Sequence, residues 1–206
     1  MDGNRGGVLR IGTSAPNFTA RSTAGQLVLS DLRGSWVLLA SHPGDFTPVC
    51  TSEFVALARH QAEFERLGCQ ILALSVDSLF AHLAWIRLIK QATGAEVRFP
   101  IIEDPTLEIA RAYGMVDSEA HDASSVRASF FIDPAGVIRL ITYYPATVGR
   151  SVDEMLRTLA ALQTTDREGR LCPSDWRPGD ATMPQPALDG SDVLRAGLTD
   201  WFYAKD

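Results

Sequence analysis

No stretch of the chain is apolar for more than five residues: "WVLLA" and "FVALA" are the longest such runs. A membrane-crossing helix needs about 20, so the sequence predicts no bilayer span. Basic residues are not in excess either. Lys and Arg total 19 against 25 for Asp and Glu, giving a net charge of −6 and a pI near 5.2. That argues against a nucleic-acid surface, which needs clustered cations. Cysteine is scarce and odd in number: Cys50, Cys69 and Cys172 lie far apart, without a CxxC or a close Cys/His pair. This excludes a secreted disulfide framework and gives no zinc ligand set, so neither a metal nor a cofactor is expected. The N-terminus, "MDGNRGGVLR", lacks an apolar signal core, and a reducing cytoplasm is the expected compartment.

What is present suits one globular domain with an appendage: 206 residues, 46% hydrophobic and 21% charged. "LVLSDLRGSWVLLA" reads as a short strand, a Gly turn and a strongly apolar strand. A helical period then places Phe54, Leu57, Ala58, Phe64 and Leu67 near one face, with Gly68 where a helix ends. "CQILALSVD" is a buried type of strand. Ser78 to Thr93 is helical, with Leu79, Leu83 and Ile86 as its apolar positions and Gly94 as its stop. "VRFPII" reads as a strand, "PTLEIARAYGM" as a short helix, and "SFFIDPAGVIRLITYY" as a hairpin turning at Asp133–Gly136. "SVDEMLRTLAAL" opens with a capping-box spacing, Ser151 and Glu154, and continues as an amphipathic helix.

The order βα-βα-βα-ββ-α implies an α/β protein whose mainly parallel sheet is covered on both faces, with a late antiparallel edge. That is the outline of a thioredoxin-like domain over residues 1–163. From Thr164 the composition changes, and residues 164–206 read as an irregular arm. "RLCPSDWRPGDATMPQPALDG" holds four of the eleven prolines. With Trp176, Trp201, Phe202 and Tyr203, this arm is expected to pack on a partner subunit and serve dimerisation.

The chemically suggestive stretch is "SHPGDFTPVCTSEF", residues 41–54, where a strand hands over to a helix. Thr47 is a good N-cap, its hydroxyl able to accept from a first-turn amide. Pro48 falls at the first helical position, where a missing N–H costs nothing. Cys50 is then third, close to free amides and the positive end of the helix dipole, which favour thiolate over thiol. On position alone, a nucleophile and a buried packing cysteine fit equally well.

Pro43, Thr47 and Cys50 together make a PxxxTxxC pattern, and in this respect the chain resembles the peroxiredoxins. The whole stretch is similar to their one-cysteine subgroup, as are "LALSVDS", "HLAWI", "FPII" and "YYPATVGR", in order from about residue 8 to about residue 180. The resemblance implies a thioredoxin-like fold and a thiol peroxidase in which Cys50 attacks a hydroperoxide. Thr47 and the Cys50 amide would donate to the peroxide oxygens, and Pro43, without an N–H, would wall the pocket. Arg127 corresponds to the family's fixed cation; by itself it would read as a surface charge. Arg150 matches a second arginine of the subgroup and is expected to hold Glu53, one helical turn after Cys50. His42 also matches, as a donor or a pH-sensitive group. His60, His82 and His121 carry no usable pattern.

Attack would leave Cys50 as a sulfenic acid. Cys172, in "RLCPSDW", is similar to the segment that carries the resolving cysteine of two-cysteine peroxiredoxins. It is expected to resolve Cys50 across a homodimer, within a possible decameric ring, with recycling by thioredoxin or a similar dithiol. The alternatives are a strictly one-cysteine enzyme recycled by an external thiol, and a ring-forming holdase. Cys69 opens an apolar strand and reads as core. Ser35 stands where some relatives carry a lipase serine, but Leu29 and Ala135 occupy the partner positions, so no lipid hydrolysis is expected.

Overall fold

A computed structural model that describes residues 9–116, 125–186 and 190 contains seven strands and four α-helices. The strands are β1 (Thr19–Ser22), β2 (Gly25–Val28), β3 (Trp36–Ser41), β4 (Cys69–Ser75), β5 (Ile101–Glu103), β6 (Arg127–Ile132) and β7 (Ile138–Tyr144). The helices are α1 (Pro48–Arg66), α2 (Leu79–Thr93), α3 (Glu108–Ala112) and α4 (Val152–Glu168). None of the described helices is long and apolar enough to cross a membrane. The chain divides into two compact units, Met1–Val152 and Asp153–Asp206.

In the first unit all seven strands form one sheet in the order β2-β1-β5-β4-β3-β6-β7. β3, β4 and β5 run parallel at its centre, while β6 and β7 extend it antiparallel from β3. The sheet is thus mixed and thioredoxin-like. Its opposite edge is a second hairpin, β1–β2, whose first strand meets β5. Sequence periodicity showed only β2 of that pair, because "TARS" has no apolar alternation. Val37, Leu39, Leu72, Leu74, Ile102 and Phe130 share one buried core with Ile109 and Tyr113. The alternate residues Leu38, Ile71, Ile101 and Phe131 are equally buried, so both faces of the sheet are covered.

Helix boundaries follow the punctuation. α1 starts at Pro48 and ends before Gly68, whose φ of +61° suits glycine; α2 ends at Gly94, φ +71°. Ser78 caps α2 by accepting from the Ala81 amide. The face of α2, however, is not the one its leucines suggested. His82, Trp85 and Ile89 are buried, and Leu83 is exposed. "VRFPII" is strand only from Ile101.

The β6–β7 turn closes with Gly136 N–H donating to Asp133 C=O at 2.7 Å. Gly136 has φ +77°, and an added Cβ would fall 0.7 Å from Arg33 Nη1. The arginine tip can swing aside; the left-handed backbone cannot relax. Gly136→Ala is therefore expected to lower unfolding free energy by about 1–2 kcal/mol, read by urea titration.

The second unit carries most of α4, an amphipathic helix with Met155, Leu159 and Ala160 buried. It runs to Glu168, so the compositional change at Thr164 falls inside the helix. Beyond it, residues 170–186 are irregular apart from a bridge between Leu171 and Met183. Trp176 is buried, its indole N–H donating to Asp180 C=O at 3.0 Å. Trp201, Phe202, Tyr203 and His121 lie outside the described residues.

Candidate active site

The strand-to-helix junction places Thr47 at the N-cap of α1 with extended backbone (φ −86°, ψ 147°), Pro48 first in the helix and Cys50 third. The first intrahelical bond runs from Thr51 N to Thr47 O, 2.9 Å. The Val49 and Cys50 amides thus have no acceptor within the helix. The Thr47 hydroxyl does not cap them, contrary to the sequence expectation. It donates backward to Gly44 C=O at 2.9 Å, which leaves those amides open to another acceptor. Thr47 is exposed and Pro43 half-buried, whereas Cys50 has no exposed surface.

Arg127 begins β6, antiparallel to β3, and this pairing carries its side chain to the start of α1. Its Nη1 lies 3.2 Å from Cys50 Sγ and donates to Glu53 Oε2 at 2.8 Å. Nε and Nη2 both donate to Ala146 C=O, at 3.1 and 2.8 Å, so the guanidinium is clamped at both ends. Arg150 surrounds the same carboxylate. Its backbone N–H and Nε donate to Glu53 Oε1 at 2.7 and 2.8 Å, and Nη2 to Oε2 at 3.0 Å. Its Nη1 binds Ala128 C=O and Ser129 Oγ. Glu53, Arg127 and Arg150 are all buried. Burial would raise the Glu53 carboxyl. The bonds and charge of Arg150, with the charge of Arg127, outweigh it and hold the group below its ordinary value.

His42 is also buried at this junction, but its Nε2 faces Asp45 Oδ1 at 2.9 Å. His82, from α2, approaches the other oxygen with Nδ1 at 2.7 Å. A carboxylate only accepts, so both of these ring nitrogens carry a proton. Burial lowers the His42 pKa, opposed by the bond and charge of Asp45. For Asp45 the order is similar: burial raises its pKa, the bonds from His42 and His82 prevail, and the result is below the ordinary value. Asp45 and His82 escaped sequence reading. The usable signal was the "HLAWI" register, which puts His82 on the same helix face as Trp85.

His42, Asp45 and Asp77 bring one potential ligand atom each to within 4.8 Å of one another. The carboxylates are already engaged, Asp77 Oδ2 accepting from Asp45 N at 2.9 Å and from Ser75 Oγ at 2.8 Å and Asp45 from the two imidazoles, while His42 Nδ1 has no hydrogen-bond partner among the described residues. The cluster is better suited to holding backbone than to holding an ion.

Cys69 is buried at the start of β4, the far end of the parallel strands, and burial pushes its thiol up to about 12. It borders a cavity of about 340 Å³ lined also by Phe64, Arg98 and Phe99, which none of the residues around Cys50 reaches. Cys172, in the second unit, is half-buried with Sγ 3.7 Å from Ala161 C=O. Its thiol is raised by burial and by the charge of Glu168, with Arg157 opposing.

Comparison with known proteins bears on the family and the fold. Residues 11–141 match the AhpC/TSA family and residues 161–194 the C-terminal domain of 1-Cys peroxiredoxin. Peroxiredoxin 2 of Caldanaerobacter subterraneus subsp. tengcongensis is 48% identical over 200 residues, covering 94% of this chain and 90% of the relative. A solved structure of yeast mitochondrial 1-Cys peroxiredoxin, described for thiol resolving via glutathione/thioredoxin systems, superposes with a TM-score of 0.83. The two are 41% identical, with 91% of this chain and 92% of that one covered. Reduced Plasmodium vivax 2-Cys peroxiredoxin gives a TM-score of 0.79 at 32% identity, covering 90% and 98%. A cysteine at a helix N-terminus beside a clamped guanidinium, on this sheet and at these identities, places the chain in the peroxiredoxin family of thiol-dependent peroxidases.

Proposed function

We propose that Cys50 is the peroxidatic nucleophile and that hydrogen peroxide and alkyl hydroperoxides are its substrates. The observation that carries this reading is Arg127 Nη1 at 3.2 Å from Sγ, held there by Glu53 and Ala146. A fixed cation at that distance is the counterion a thiolate needs, in a site from which bulk water is excluded. The sulfur attacks one peroxide oxygen, an S–O bond forms and the O–O bond breaks. The departing oxygen leaves as hydroxide or alkoxide and takes a proton. Arg127 and the open Val49 and Cys50 amides face the charge as it moves from sulfur to oxygen. Thr47 and Pro43 border the peroxide, and Arg150 and Glu53 fix Arg127. His42 supports the loop.

Cys50 ends as a sulfenic acid, oxidised by two electrons. Cys172 of a partner subunit then attacks that sulfur and expels water, and the resulting disulfide is reduced by a thioredoxin-like dithiol. Because Cys50 is buried within the first turn of α1, the disulfide requires that turn to open. The unit in this reading is a homodimer in a reducing cytoplasm, with assembly into a decameric ring as its larger form. A second reading, recycling of the Cys50 sulfenate by an external thiol, is favoured by the likeness to a 1-Cys enzyme.

Mass spectrometry after one equivalent of hydrogen peroxide is expected to show Cys50 as sulfenate or linked to Cys172. Oxidation elsewhere with Cys50 untouched overturns the assignment. On a non-reducing gel, peroxide should give a dimer band that both Cys172→Ser and Cys50→Ser remove. A lone sulfenate with no band selects the external-thiol route.

A further inference from the structure

We propose that Asp45 is a positioning residue for peroxide reduction, its carboxylate joining the His42 and His82 imidazoles into a clamp that holds the loop before Cys50 against α2. The proposal rests on Cys50 being the nucleophile. Both carboxylate oxygens are used, one on each imidazole, and the three side chains have no exposed surface. An apolar trio of similar volume would fill the space without the penalty of burying a charge. What the charged arrangement adds is direction, since one hydrogen bond fixes the loop after β3 on itself and a second, from the same carboxylate, ties it to a helix 37 positions away.

The same loop is tied by its backbone. Asp45 N–H donates to Asp77 Oδ2 at 2.9 Å, and Ser125 Oγ donates to His42 C=O at 2.9 Å. The next residue, Phe46, has φ +60°, a left-handed conformation that a bulky side chain holds only when its surroundings over-determine it. Thr47 follows directly, and its hydroxyl is bonded to Gly44 C=O, so its place depends on where Gly44 and Asp45 are held. With the carboxylate gone, Phe46 can relax and Thr47 moves off the peroxide side of Cys50. Displacement of a reacting geometry by about 1 Å costs on the order of 100-fold in rate.

Asp45→Ala is expected to lower kcat/KM for hydrogen peroxide by about 30-fold or more, without slowing alkylation of Cys50 by iodoacetamide, which needs the thiolate but not the peroxide cradle. Asp45→Asn should recover most of the activity. Its oxygen accepts from one imidazole and its amide donates to the other after a tautomer change. Parent-like turnover by Asp45→Ala, alkylation falling in step with turnover, or an Asn variant as impaired as the Ala variant would each overturn the clamp. Should Asp45→Ala not fold, His82→Leu removes only the α2 arm and must show the same split between peroxide and iodoacetamide; equal activity with both overturns the proposal. Cys50→Ser, run in parallel, separates the two readings: peroxidase activity surviving in that variant defeats the nucleophile, whatever Asp45 does.

Discussion

Glu53→Gln is expected to lose about 3–5 kcal/mol of unfolding free energy, because its carboxylate is the shared anion of two buried arginines. Four donors converge on it: one from Arg127 and three from Arg150, including the Arg150 backbone amide. A glutamine offers one acceptor oxygen and an NH2 that faces donors, so it leaves guanidinium charge buried without a counterion. For a chain of this size the loss corresponds to about 6–20 °C in Tm. The dependence on pH has a definite sign. The folded carboxyl sits below its ordinary 4.5. Its contribution is therefore complete above that value and disappears as the pH falls through the lower folded value. Urea titrations between pH 3 and 6 should show the parent losing stability on the acid side and Glu53→Gln losing less there. A Tm within 2 °C of the parent, or acid limbs that run parallel, would mean that the carboxylate is not the keystone of this network.

Arg127→Gln is the complementary case, striking the chemistry harder than the fold. Arg150 alone still supplies three of the four bonds to Glu53. What disappears is the charge 3.2 Å from Sγ. Removing one preorganised donor from a site of developing charge costs about 100- to 1000-fold in rate, and kcat/KM for hydrogen peroxide is expected to fall by that much. Arg127→Lys should recover only part of it. A lysine presents a point charge and cannot bind Sγ, Glu53 and Ala146 at once as the planar fork does. Stopped-flow consumption of peroxide measures both variants; a Gln variant turning over at the parental rate would remove Arg127 from the mechanism.

How much of this was legible in the sequence depended on range. Pro48, Gly68, Gly94 and the Asp133–Gly136 turn act within a few residues, and each marks its element where the sequence put it. Phase was harder. On α2 the leucines looked like the apolar face, yet His82 lies inside and Leu83 outside, because a histidine enters the core only when a distant carboxylate awaits it. Asp45 was invisible for the same reason, being polar in a loop and paired to a ring on another element. Arg127 and Arg150 came from resemblance to a family, since periodicity carries no trace of a contact 74 or 97 residues away. The Thr47 hydroxyl shows a local limit too. Its position was readable, while its choice between the helix amides and Gly44 was a matter of geometry.

The 97 positions between Glu53 and Arg150 also order events during synthesis. At about 5–20 residues per second, the ribosome delivers Cys50 roughly 5–20 s before the arginine that completes its surroundings. Until β6 docks beside β3, the nascent sulfur has no guanidinium beside it. If Cys50 acts as proposed, its cationic surroundings are complete only once the chain has been made through Arg150, and a truncated chain ending before residue 127 is expected to show no peroxidase activity.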